Sequence, residues 1–282
     1  MALIGVAFGL GFVFGPALGG TLASVAQTWN ADPAFPHLVI GLFVAAICWL
    51  NFLFMWKALP ETRDLREPDK EAVSTTHKKK WLSLIRNLQK PQIGTLLLIS
   101  FILSFAMSSM EATLILYMND LFHWQMKEVS YGFAYIGLVM IFSQGFLVRR
   151  LLPKLGERTV IPIGIFIFAI SLTLIGFSTT LTLLTVAMTG LALSQGLTNP
   201  AIMGSVSLLT PPHEQGETLG VNQSLASLGR IVGPVLGGWF YQSLSWGSPF
   251  FFSGLLGFVG LALILKIRLH LPNSAMKRAT NV

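Results

Sequence analysis

Glu111 stands alone among the twelve acidic residues. It lies inside a long apolar run, "SFILSFAMSSMEATLILYM" (Ser100–Met118), whereas the other eleven fall in polar segments or at the ends of apolar ones. An ionisable group deep in a membrane helix costs about 2.5–3.5 kcal/mol on insertion scales, so keeping one points to function or to a dedicated partner. A carboxyl withdrawn from water can hold a proton near neutral pH and release it when its surroundings change. That is the chemistry of a reversible proton carrier or of a counter-charge for a cationic ligand. Ser100, Ser104, Ser108 and Glu111 recur at helical spacing and form one polar stripe. The alternative is a structural carboxyl bonded to a neighbouring helix near the outer interface.

Other polar groups share this setting. Gln195 and Asn199 lie four residues apart on one helix face, followed by Pro200, which bends a helix and frees backbone carbonyls. These amides either bond a ligand or hold helices together, and the same choice stands for Gln144, beside Gly145. Arg230 is the one basic residue well inside an apolar run, on a face with Gln223 and Ser227. It can pair outward with Glu111 or bond an inner-side carbonyl or carboxylate, and a structural or gating role is favoured over ligand contact. The five histidines are dispersed in loops and ends, so no metal site is expected. No phosphate-binding loop supports ATP-driven chemistry. No nucleophile–base–acid set assembles, so neither a cofactor nor an enzyme activity is expected. The single Cys48 reads as packing.

The elements that must position these residues follow from composition. The chain is 53% hydrophobic and 11% charged, with a mean hydropathy of +0.67. Soluble domains carry about 25% charged residues, so this is a membrane protein with the lipid bilayer as its solvent. The N-terminus enters an apolar run at once, without a basic leader, and reads as a helix that stays. Eight segments reach spanning length: 2–27, 38–56, 91–118, 130–148, 160–177, 181–209, 218–244 and 249–266. They do not alternate as barrel strands would. With the N-terminus inside, seventeen of the nineteen basic residues fall on the inner side and one, Lys127, outside, which places both termini in the cytoplasm. Residues 59–90 form a mixed-charge inner linker. At its end Trp81, Ile85 and Leu88 fit a short surface helix, with Lys78–Lys80 near anionic headgroups; a solvated loop fits equally.

Two glycine-rich stretches match each other. "GFVFGPALGG" (Gly11–Gly20) returns as "GRIVGPVLGG" (Gly229–Gly238), with every Gly and the Pro in register. Gly11, Gly15 and Gly19 share one face, as do Gly229, Gly233 and Gly237. Small residues let helix backbones approach closely in lipid, so each strip is expected to be a close contact. Gly20 closes the first copy. Pro16 and Pro234 each remove a backbone donor. The copies start six helices apart and run in the same direction, the arrangement of transporters built from two parallel six-helix halves.

With these motifs the sequence resembles the major facilitator superfamily, in particular its drug:proton antiporter and tetracycline-exporter-like branch. Gly11–Gly20 is similar to the antiporter signature of the family's fifth helix, and "LPET" (Leu59–Thr62) to the end of its sixth. "MEATLILY" (Met110–Tyr117), "QGFLVRRLLPKLGER" (Gln144–Arg158) and Gly220–Gly238 are similar to its seventh helix, its eighth-to-ninth turn and its eleventh helix. The resemblance implies that the chain covers the fifth to twelfth helices. In the inner turn, Arg149 occupies the position where the family prefers an acid, and the basic Arg150 follows.

The expected fold is an all-α membrane protein of eight transmembrane helices. Residues 91–282 form a complete six-helix bundle, and 1–58 supply the last two helices of an incomplete N-terminal bundle. The resemblance implies a secondary transporter exporting a small amphipathic molecule in exchange for protons, in a bacterial inner membrane. It implies that the third helix, with Ser104, Ser108 and Glu111, lines the central cavity; Gln144, Gln195 and Asn199 are candidates for the same space, with helix packing as their alternative. The glycine strips, Arg149, Arg150, Gln223 and Arg230 would serve packing or gating. The alternatives are a non-transporting membrane fragment and a relative importing a metabolite.

Overall fold

The computed structural model describes residues 2–30, 32, 34–58, 90–124 and 126–271. The linker, apart from Lys90, and its expected surface helix around Trp81 lie outside them. Every described segment of length is helical: α1 (Ala2–Trp29), α2 (Phe35–Ala58), α3 (Pro91–Phe122), α4 (Met126–Phe142), a π turn (Ser143–Leu147), α5 (Val148–Leu155), α6 (Glu157–Gly176), α7 (Leu181–Leu209), α8 (Gln215–Ser243) and α9 (Ser248–Ile267). In hydrocarbon a backbone must satisfy its own polar groups, and these apolar runs do so as helices.

Among the described residues six helical stretches are long and apolar enough to cross a membrane: Phe35–Ala58, Pro91–Phe122, Glu128–Leu155, Glu157–Gly176, Leu181–Leu209 and Ser248–Ile267. Helix α8, 29 residues long, is not among the six. In α8 the reason is the run of polar side chains from Gln215 through Arg230.

Neighbours pack in the order α8, α3, α9, α6, α7, α4, and α7 also touches α3 and α8, so these helices make one bundle. Its core is apolar: Leu96, Met110, Leu114, Ile165, Phe168, Leu191 and Phe250 are fully buried. Helix α1 joins this bundle along α4 and the π turn, and α2 packs on α1. Gly156, with φ 71°, makes the sharp corner between α5 and α6, a backbone conformation that side chains resist.

The two glycine strips differ. The strip of α8 lies against α3, as expected. The strip of α1 does not form the expected contact: a Cβ added at Gly11, Gly15 or Gly19 would meet no atom within 4 Å. Gly11 and Gly15 are exposed and Gly19 is half-buried, although Ala26, seven residues after Gly19 on the same face, is buried.

Candidate functional site

The closest helix pair is α3 with α8. A Cβ at Gly229 would lie 2.8 Å from the Phe101 carbonyl oxygen, and one at Gly233 2.6 Å from that of Phe105. At Gly237 it would lie 3.2 Å from the Ser109 Cα. The contacts climb both helices together, so α3 and α8 run parallel. Ser104 and Ser108, expected along a cavity wall, instead face this strip: their Cβ atoms would lie 3.3 and 3.2 Å from those added atoms.

Ser108 has a specific task there. Pro234 has no N–H to give the Arg230 carbonyl four residues earlier. The Ser108 hydroxyl donates to that carbonyl instead, at 3.2 Å. The proline's lost bond is thus replaced from the neighbouring helix, at the backbone of Arg230. Glu111 lies one turn above Ser108 and about 60° round α3. It is half-buried at the edge of the contact, while the Arg230 side chain is exposed on the same side. The guanidinium acts on the carboxyl through space, without an ion pair within 4 Å among the described residues.

A second polar group forms where the π turn meets α7. The Ser143 hydroxyl donates to the Leu193 carbonyl at 2.9 Å. Gly196 lets the two segments close: a Cβ there would lie 2.5 Å from Ser143 and 3.4 Å from Cγ of Gln144. Gln144 is only 4% exposed, and its Oε1 has no hydrogen-bond partner. One helix face away, Nδ2 of Asn199 donates to Oε1 of buried Gln195 at 3.2 Å. Pro200 meanwhile withholds its bond from the Gly196 carbonyl. Gln144 thus packs at Gly196 and Gln195 pairs with Asn199 on the same helix, but no hydrogen bond ties them to Glu111 among the described residues.

Gln223 and Ser227 line an open groove of about 530 Å³ on α8, with Gly220, Ser224, Leu228 and Ile231. Arg149 and Arg150 stand apart on α5, both exposed, and the Arg150 guanidinium sits 4.0 Å over the Phe146 ring. Among the described residues no three His, Cys, Asp or Glu side chains gather as a metal would require.

Two clasps were not foreseen from the sequence. Lys90 pairs with Glu214 at 3.1 Å, joining the starts of α3 and α8. The Tyr241 hydroxyl donates to Asp120 Oδ2 at 2.6 Å, joining their ends, beside Tyr117, which donates to the Ser178 carbonyl at 2.5 Å. Spacing within one helix carries no signal for either. The π turn has a weak one, the "SQG" polar triplet inside an apolar run.

A family profile described as Major Facilitator Superfamily matches residues 1–158 and 145–281. Multidrug resistance protein 2 of Bacillus subtilis (strain 168) is 27% identical over 94% of this chain and 63% of its own length. Tetracycline resistance protein, class B, of Escherichia coli is 25% identical over 83% of the chain and 55% of its own. Major facilitator superfamily domain-containing protein 10 of Homo sapiens is 28% identical over 98% and 61%. The crystal structure of the human organic anion transporter MFSD10 (TETRAN) matches with a TM-score of 0.72 at 24% identity, over 94% of this chain and 62% of that one. The chain thus spans between 55% and 63% of the length of these three curated relatives.

Proposed function

The chain belongs to the major facilitator superfamily, and from that premise we propose that it serves the export of small amphipathic molecules in exchange for protons. The relatives named for multidrug and tetracycline resistance support the efflux direction. Eight membrane crossings, cytoplasmic termini and a bacterial inner membrane complete the reading. So do a domain of residues 91–282, an inner linker at 59–90 and a partial second bundle at 1–58. The two bundles would rock about a cavity between them. Because the relatives are longer, the activity is proposed for a protein of their full length.

The observation that carries the proposal is the placement of Glu111. It is a lone carboxyl within a span, at the edge of the α3–α8 contact, with the charge of Arg230 acting on it. Glu111 takes and releases the proton. Arg230, its backbone fixed by Ser108 in the same bundle, supplies a charge that stays beside the carboxyl while the other half moves. Gln144, Gln195 and Asn199 offer hydrogen bonds to cargo, and the unpartnered Oε1 of Gln144 is an acceptor waiting for a donor.

The test is Glu111→Gln in the longest in-frame protein containing this chain, reconstituted in vesicles. Proton-driven uptake should fall at least tenfold, while substrate-for-substrate exchange survives. Unchanged driven uptake would remove Glu111 from the mechanism. A second reading has support in the exposure of Arg230 and in the anion cargo named for MFSD10: the cargo is an organic anion held by Arg230. Arg230→Gln would then abolish exchange of anions and spare cations.

A further inference from the structure

The end of the bundle where α6 begins and α9 stops holds an arrangement that the transport reading does not use. Pro162 cannot donate to the Arg158 carbonyl four residues before it. Arg268 fills the vacancy, its Nε donating to that oxygen at 3.1 Å. Arg158 reciprocates, its own Nε donating to the Leu271 carbonyl at 2.6 Å. Two guanidiniums are thereby anchored through their Nε atoms at one corner of the bundle. Among the described residues nothing takes the four terminal N–H donors of either. Like charges held together call for an anion. Among the described residues no carboxylate lies within 4 Å of either guanidinium, and the adjacent Glu157 is buried with an interaction of its own.

We propose that Arg158 and Arg268 form a binding site for the phosphate of an anionic phospholipid in the inner leaflet. Guanidinium forks match phosphate oxygens, and they do so best when the arginines are already immobilised. Inner-leaflet surfaces are anionic and attract such groups. A lipid is favoured over free phosphate by what surrounds the pair. Phe166 of α6, Leu265 near the end of α9 and Leu269 beside Arg268 are 47%, 49% and 77% exposed, an apolar surface for acyl chains. The proposal rests on the inner-side orientation and not on transport.

The test uses the 282-residue chain in phosphatidylcholine nanodiscs containing a small fraction of labelled phosphatidylglycerol. Both leaflets of a nanodisc carry the same lipids, so the readout is independent of orientation and of transport. Arg158→Lys and Arg268→Lys keep the charge but lose the fork; each should weaken phosphatidylglycerol binding about tenfold, the loss of a charge-assisted hydrogen bond. Lys154→Ala removes an exposed neighbouring charge and should change binding less than twofold. Pro162→Ala is the decisive variant, because it changes no charge and strengthens the helix. It gives the Arg158 carbonyl a donor of its own, competes with Arg268, and should weaken binding about threefold. The proposal is overturned if Lys154→Ala matches the arginine variants, if Pro162→Ala binds as the wild type does, or if inorganic phosphate displaces the lipid.

Discussion

The glycine–proline strip of α8 and that of α1 carry the same residues in opposite surroundings. In α8, Gly229, Gly233 and Gly237 press onto the backbone of α3, and the carbonyl freed by Pro234 is taken by Ser108. In α1, a Cβ added at Gly11, Gly15 or Gly19 would meet no atom within 4 Å. The motif therefore does not bind by itself. It is half of a contact, and the other half is a serine-bearing helix whose hydroxyls stand at matching spacing. Where that half is present, the strip packs and the Arg230 backbone is held by Ser108; where it is not, the strip is a bare face.

The largest expected effect separates the two copies directly. Gly233→Leu would drive a side chain into the Phe105 carbonyl and should destabilise the chain by on the order of 3 kcal/mol. Gly15→Leu should change stability by less than ~0.5 kcal/mol, as at an exposed site. Unfolding in mixed detergent measures both. Equal losses would show that the strip of α1 is a contact after all.

A smaller effect sharpens the role of the serine. Ser108→Ala leaves the Arg230 carbonyl without its donor and should cost about 1–2 kcal/mol. Ser224→Ala is the control, since that exposed hydroxyl bonds only its own helix, at the Gly220 carbonyl, and it should cost less than ~0.5 kcal/mol. Calorimetry in one detergent compares them. A Ser108→Ala protein as stable as the wild type would break the link between proline and serine.

The smallest effect compares the prolines. Pro16→Ala and Pro234→Ala each restore a helix donor. Pro16→Ala should gain more, by ~0.5–1 kcal/mol, because the Arg230 carbonyl already has Ser108 as a donor. Equal gains in the same unfolding assay would mean that the two carbonyls are equally satisfied.

What could be read from the sequence follows the same division. The helices were legible because runs of about 20 apolar residues leave little choice of structure. Expected bounds such as 181–209 coincide with α7 (Leu181–Leu209). Which residues share a face was legible too: Gln195 with Asn199, and Gly229 with Gly233 and Gly237. The direction of a face was not. In water the apolar side of a helix points inward, but in lipid both sides are apolar and periodicity loses its sign. That is why Ser104 and Ser108 were expected at a cavity and lie in a packing contact. It is also why Gly15 was expected in a contact and lies outside one. The clasps Lys90–Glu214 and Tyr241–Asp120 join residues more than 120 positions apart, and nothing local announces them. Arg158 and Arg268 read as ordinary inner-side charges, and only the fold shows the carbonyl left by Pro162 taking Arg268 while Arg158 reaches the Leu271 carbonyl.

The central claim is that Glu111 carries the proton exchanged for cargo, and proton release on binding tests it most directly. Purified full-length protein in weakly buffered detergent near neutral pH is mixed with a transported cation, and released protons are counted with a pH dye. Wild type should release about one proton per cargo bound, and Glu111→Gln should bind the same cargo and release none. Undiminished release from Glu111→Gln would contradict the account and place the coupling proton on another group.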